Sequence, residues 1–464
     1  MFNKFSIFTK LLAIMLALSL IVIVAGCSDD DTSTTPTPVD EYFTDDDIAP
    51  GDSIHLTADQ EWVMDGFVFV DDGAVLSIEA GAVLKFNPGQ GADASALICG
   101  RNGKIYMNGT ADNPIIMTAT ADDTTLGEGV PWYTRGLWGG LVILGNAPTN
   151  NGGDTQIEGI PETEARGAYG GSDAVENSGI IRYVSIRHGG SEIGAANEIN
   201  GLTLGAVGGG TTIDYVEVFA NKDDGVEFFG GTPNTTHMAV AFCGDDCFDY
   251  DEGYNGNGQF WFAIQAEDAG NRAGEHDGAT GNEQSTPYAI PIVSNATYIG
   301  SGADSPNGNN DRALYLRDNA GGKYHNSIIY DFNGVGLKVE DLDDPSLQDS
   351  RARLEAGDIV FANNIWYSFG AGNTLEDIIA DDFVRDLLDA SNTIVDPQLV
   401  GIDRSPGGGL DPSPAAGSPA GSGAVMPSGN NGFTFENVNY KGAFAPGENW
   451  LKGWTALDFY GFLQ

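Results

Sequence analysis

The sequence predicts an all-β chain wound as a single-stranded solenoid of parallel strands, and three observations carry that prediction. Between residues 178 and 265, short β-branched or aromatic runs (180–184, 213–219, 226–229, 238–242, 260–264) alternate with Gly, Asn and Asp clusters. That is the pattern of short strands separated by tight corners. Within it, Asp223-Asp224-Gly225-Val226-Glu227-Phe228 is followed, 22 positions later, by Asp245-Asp246-Cys247-Phe248-Asp249-Tyr250. A repeat of this length with a strand-like run in each period marks coils stacked through parallel strands. The chain also holds 65 Gly, and no long stretch before residue 340 reads as a helical core.

In chain order, Lys4 and Lys10 precede an apolar run over residues 11–24, which closes with Val24-Ala25-Gly26-Cys27. A basic start, a short apolar run and small residues before a cut site predict a secretory signal over residues 1–26. The Ala-Gly-Cys ending resembles a bacterial lipobox, which implies that Cys27 is diacylated and becomes the mature N-terminus. The alternative, a membrane anchor, asks more length than this run has; acyl chains on one residue tether a protein without spanning. Residues 27–49, with Asp29-Asp30-Asp31 and TSTTPTP, read as a flexible acidic tether. The acidic triplet resembles the export signal of surface lipoproteins in Bacteroidetes-like bacteria. The expected location is therefore extracytoplasmic, lipid-anchored to the outer membrane and exposed at the surface.

The β-helix is expected over residues 50–400. Its first coils lie at 54–56, 62–70 and 75–86, where apolar and polar residues alternate with Gly at the corners. The same grammar returns at 96–117 and 138–145, with Val, Ile, Leu and Phe inward so that each packs on its equivalent one coil away. Residues 146–174 are Gly-rich and aperiodic, a corner excursion of the kind that forms binding walls in solenoids. Strands resume at 291–299, 313–317, 324–332 and 336–340. Helices are expected at 346–355 and 374–390; the second carries Leu375, Ile378, Ile379, Phe383, Leu387 and Leu388 at helical spacing and would cap the last coils. Residues 401–464, a Pro/Gly-rich segment with an aromatic ending, are expected to dock back on the solenoid.

The charge balance excludes some partners. The formal net charge is −45; removing residues 1–26, with two Lys and no acid, leaves 19 bases against 66 acids, or −47. Nucleic acid and anionic lipid need Lys and Arg contacts that this surface lacks. Divalent cations suit it. With Cys27 given to lipid, Cys243 and Cys247 either close a tight disulfide-bonded loop or remain two small core thiols, and Cys99 reads as buried. The five His are scattered, which argues against zinc.

If each coil is one period, Asp223 lies above Asp245, Asp224 above Asp246 and Glu227 above Asp249. Three chemistries fit that stack. Asp245, Asp246, Asp249, Asp251 and Glu252 offer hard oxygens to Ca²⁺ within eight residues, with Asp223, Asp224 and Glu227 joining from the next coil. The same Asp residues could instead cap corners by accepting backbone N–H bonds. Third, Asp223, Asp224, Asp245 and Asp246 could supply the acid and base of an inverting glycoside hydrolase, which stand about 6.5–9.5 Å apart. Stacked equivalents lie about 4.8 Å apart and residues two along a strand about 6.6 Å. His276, in the acidic, Gly-flanked run Gly274-Glu275-His276-Asp277-Gly278, joins that catalytic set. Trp132, Trp138, Trp261 and Trp366 are read first as core residues and second as sugar platforms.

The segments GLWGGLVILGNAP, SGIIRYVSIRHGG, NEINGLTLGAVGGGTTIDYVEVFANKDDGVEFFGG, CGDDCFDYDEGY and DPSPAAGSPA, with the ending YKGAFAPGENWLKGWTAL, resemble extracytoplasmic parallel β-helix lipoproteins of environmental bacteria. The resemblance spans roughly residues 50–464. It implies a right-handed, pectate-lyase-like β-helix and assigns no activity. A looser resemblance links Asn-Lys-Asp-Asp-Gly, Gly-Asp-Asp, Gly-Glu-His-Asp-Gly and Leu-Arg-Asp to the polygalacturonase series. It departs at Lys222 (Thr expected), at Glu275 (Gly expected) and in lacking Lys two residues after Arg317. The expected function is a lipid-anchored cell-envelope or cell-surface module that binds carbohydrate or another surface component, with calcium as a candidate stabilising ion. The alternative is a polysaccharide-degrading hydrolase, or a lyase in which Lys222 or Arg317 is the base.

Overall fold

The computed structural model describes residues 42–464 apart from 126–128, 195–196, 345–347 and 388–389. The expected signal, the expected lipid-bearing Cys27 and most of the expected tether lie outside the described residues. No helix among the described residues is long and apolar enough to cross a membrane.

The described chain is a parallel β-helix. Nine parallel strands build one sheet: Phe67–Val70, Ala96–Cys99, Leu141–Leu144, Leu202–Gly205, Val226–Phe229, Phe248–Asp251, Gly274–Asp277, Arg312–Arg317 and Val335–Val339. The remaining coil strands form an eighteen-stranded sheet with two faces. Those faces join where Gly179–Arg187 pairs with both Lys104–Asn108 and Ile115–Ala119. The strand bends at Tyr183, which has φ 48°.

That bend recurs coil by coil. Register carries Tyr183 onto Tyr215, His237, Phe260, Asn295, Asn326 and Asn363, each with φ between 48° and 61°. Asn tolerates the left-handed region because its short amide can bond locally. The aromatic residues hold it by stacking: Tyr183 on Tyr215 at 4.4 Å, and Tyr215 on His237 at 4.1 Å.

Inward positions follow the expected alternation. Leu76, Leu84, Ile105, Ile115, Leu141, Ile181 and Leu202 are fully buried in one continuous core. Truncating such a Leu or Ile to Ala costs about 2–5 kcal/mol. Trp138, Trp261 and Trp366 are core residues; Trp138 stacks on Phe86 at 3.9 Å. Trp132 packs against Phe242 and Phe462.

One expectation is corrected and one alternative settled. The helix over 374–390 is two short helices, Leu375–Ile378 and Asp382–Leu387. Ile378 and Ile379 both enter the core, and the first helix ends between them, where Ile379 is extended at φ −127°. Of the two alternatives for Cys243 and Cys247, the disulfide is the one not found: both thiols are free and buried within the core. The other expected helix is found at Ser350–Ala356, capped by the Asp349 carboxylate and by Gly357 in the left-handed conformation.

The C-terminal segment packs on one side of the coils. Leu410, Phe444, Leu451, Leu457 and Phe462 share a second core with Phe219, Phe242, Phe260, Phe262 and Ile264. Beneath it, the fully buried Glu217 accepts N–H bonds from Ala456 (2.6 Å) and Leu457 (3.2 Å) at the start of the helix Ala456–Phe459.

Candidate functional site

The carboxylates gather on the outer face of the nine-stranded sheet because strand side chains alternate between faces. In Val226–Phe229 and Phe248–Asp251, Val226, Phe228, Phe248 and Tyr250 enter the core. Glu227, Asp249 and Asp251 therefore point outward. Glu227 pairs directly with Asp249 in the ladder. Tyr250 pairs with His276, which sets Asp249 beside Glu275 and Asp251 beside Asp277. One coil further, Tyr315 follows Glu275 and Arg317 follows Asp277. At the preceding corner the Asp246 N–H bonds to Asp224 Oδ1 at 2.9 Å, so Asp224 and Asp246 stack as the repeat requires.

Two groups of three carboxylates result. Asp223, Asp224 and Asp245 bring one oxygen each within 4.8 Å of one another, and so do Asp246, Asp249 and Glu275. The groups differ in compensation. In the second, Arg272 Nη1 lies 3.0 Å from Glu275 and 3.5 Å from Asp246, with Arg317 3.5 Å from Glu275. The first has no ion pair among the described residues. Lys222, next in sequence, is turned away to Glu192 (3.1 Å) and Glu198 (3.8 Å).

Burial and crowding act together on the protons. Asp223 is pushed up to about 7 by desolvation and then by Glu158, Glu198 and Asp245. Burial, then Asp223 and Asp249, raises Asp224 well above the usual carboxylate range. Asp246 rises to about 8 through burial and Asp245, against the pull of Arg272. Glu227 and Asp249 rise through burial first, then through Asp224 and Glu227 respectively. Carboxylates held this close in a shielded place keep protons at neutral pH unless a cation replaces them.

The expected metal set is divided. Asp245 joins Asp223 and Asp224, while Asp246 and Asp249 join Glu275. Asp251 and Glu252 belong to neither group: Asp251 accepts from Thr280, and Glu252, at a corner with φ 54°, accepts from the Tyr169 hydroxyl. His276 is also corrected. It faces the interior, stacked on Tyr250 at 4.0 Å, where Nδ1–H donates to Glu275 O and Nε2 accepts from Tyr324 OH, both at 2.6 Å. Burial lowers it to about 3, so it stays neutral and takes no part in surface chemistry. Glu275, Asp277 and Arg272 were not among the expected site residues. The alternation Gly274-Glu275-His276-Asp277 was the available signal, hidden because this coil is 26 residues long rather than 22.

A family model described as a pectate-lyase-like β-helix domain matches residues 49–385. No curated protein matches the chain. Among solved structures, the crystal structure of the Dettilon tailspike protein (gp208) is similar at 12% identity and a TM-score of 0.26. The match covers 73% of this chain and 63% of the tailspike chain.

Proposed function

Because the chain belongs to the family of pectate-lyase-like β-helix domains, we propose that it is a carbohydrate-binding protein whose sheet face uses a divalent cation, calcium, to hold a glycan. The observation that carries the reading is the uncompensated group Asp223, Asp224 and Asp245. Calcium takes 6–8 oxygens at about 2.3–2.6 Å. Two oxygens on one such ion are at most about 5 Å apart, and these three carboxylates fall inside that span. Asp245 is half-buried and Asp224 buried, so one side of the group is fixed by the fold and the other reaches toward the medium. The open coordination positions would take hydroxyl or carboxylate oxygens of a sugar. The expected signal and Cys27 support a protein anchored by lipid to the outer membrane and displayed at the surface.

One observation favours a second reading, a polysaccharide-active hydrolase. Asp246 keeps a proton to about 8 beside other carboxylates, which is the property of a general acid. The two readings part in one experiment. Thermal unfolding of the chain without its first 26 residues is followed with calcium and with EDTA. Calcium at a hundredfold excess over its dissociation constant should add about 2.7 kcal/mol, and Asp223→Asn with Asp245→Asn should abolish the gain. No calcium shift removes the cation. Release of new reducing ends from a polysaccharide, lost in Asp246→Asn, would make the protein an enzyme.

A further inference from the structure

A second cleft lies away from both carboxylate groups, where four corners and the C-terminal segment meet. It encloses about 410 Å³ and is lined by Thr232, Asn255, Tyr288, Ile290, Asn430 and Asn431, with only Gly, Pro and Ala besides. No lining residue carries a charge, in a chain whose formal net charge is −45. A random patch of this surface would include acids. The volume falls within the roughly 300–1,000 Å³ of small-ligand sites.

The lining is held in place before any ligand arrives. Asn430 N–H donates to Asn257 Oδ1 at 2.8 Å, and Asn430 Nδ2 donates to Ile290 O at 2.8 Å. Asn431 Nδ2 reaches Asn255 O at 3.1 Å, and Asn255 Nδ2 reaches Tyr288 O at 2.6 Å. The Tyr288 hydroxyl donates to Gln348 at 3.0 Å, while the Arg353 guanidinium lies 4.0 Å from its ring centre. The three bonds made by Asn430 and Asn431 tie residues 140 to 176 positions apart into one wall. A carboxamide has two N–H donors and two acceptor lone pairs. The exposed Asn431 spends one donor on Asn255, which leaves capacity toward the cleft.

We propose that this cleft is a binding site for an uncharged sugar unit, separate from the carboxylate face and independent of calcium. The chemistry matches on both sides. Sugar rings present hydroxyls that both donate and accept, and C–H patches that pack on flat apolar surface. The cleft offers carboxamides and a threonine beside Tyr288, Pro287, Pro148 and Ile290. A polyanion would have to approach a strongly negative molecule with no cation in the cleft to meet it. The inference goes beyond the calcium reading and survives its failure.

The test uses the chain from Cys27 onward in EDTA, with cellohexaose, xylohexaose, mannohexaose, maltohexaose and hexagalacturonate as probes in isothermal titration. Binding of at least one neutral hexasaccharide in EDTA is expected. Asn431→Ala and Tyr288→Ala should each weaken it about tenfold, equivalent to about 1.4 kcal/mol. Tyr288→Phe should retain binding because it keeps the ring. Asn431 stands at φ 52°, so Asn431→Gly, which removes the same carboxamide without the left-handed penalty, is measured beside Asn431→Ala and should weaken binding equally. The site is overturned if no neutral hexasaccharide binds at millimolar concentration, or if binding is indifferent to Asn431→Ala and Tyr288→Ala. Binding that needs calcium and disappears in Asp245→Asn would also overturn it, and would assign the sugar to the carboxylate face instead.

Discussion

Asp246 illustrates how one residue couples fold to solution conditions. Its carboxyl accepts from the Arg272 N–H and lies near Arg272 Nη1, yet burial and Asp245 outweigh both and raise it to about 8. In the unfolded chain an Asp titrates near 3.9. The folded state therefore binds protons more tightly, and this contribution to stability is complete below about pH 4 and declines as pH rises toward 8. Asp223 and Asp251, both raised to about 7, act in the same direction. In EDTA the melting temperature should fall between pH 5 and pH 8, and Asp246→Asn should flatten the fall. Calorimetry across that range checks it; a melting temperature that rises with pH would contradict the protonated assignment.

At the scale of an element, the bent corner is the device that holds the later coils to the C-terminal segment. Asn326 sits there at φ 54° and makes four side-chain bonds: Nδ2 to Ser294 Oγ and Val425 O, and Oδ1 from Val425 N and Asn363 Nδ2. Asn295 and Asn363 reach Tyr440 O and Gly423 O in the same way. Asn326→Ala should destabilise by about 1–3 kcal/mol through unsatisfied buried groups. Asn326→Gly loses the same bonds but avoids the left-handed penalty of about 1–2 kcal/mol that Ala incurs. Urea unfolding of the pair should therefore place Gly above Ala, and the reverse order would sink the account of the corner. The amphipathic pattern over 374–390 was legible as helix, yet its break was not. Lys338 Nζ at 2.9 Å from Asp381, and Arg385 bonded to Ala380 O at 2.8 Å, hold the chain in the turn between the two helices.

For the molecule as a whole, the C-terminal segment covers apolar surface that bare coils would expose. Its docking runs through Glu217, which also accepts from Ser185 Oγ at 2.5 Å, while Ser185 Oγ accepts from Arg187 Nε at 2.8 Å. Removing the Glu217 carboxyl leaves the buried Ser185 hydroxyl and the Ala456 and Leu457 N–H groups without their acceptor, at a cost of about 1–3 kcal/mol for an unsatisfied buried group. Glu217→Ala should lower global stability by that order. It should also raise binding of a hydrophobic dye, as Phe219, Phe242 and Phe262 become accessible. A variant with unchanged dye binding and stability would show that apolar contacts alone hold the segment.

The coil architecture was legible from the sequence because period-two burial and the Asp223/Asp245 repeat are local facts. Adjacent coils of equal length align without outside information, which is why Glu227 and Asp249 meet as expected. Excursions break that logic. Forty residues separate Gly274 from its partner Leu314, and no local pattern reports where a loop of that length returns to register. Glu275 thus entered the site unannounced, while His276, the most conspicuous residue of its run, turned inward because its neighbours on the strand face out. The sequence by itself determined the strands, the repeat and the wealth of carboxylates. Only the tertiary structure decided which carboxylates share a shielded space, which have an arginine beside them, and where an uncharged cleft opens, because each depends on contacts between segments distant along the chain.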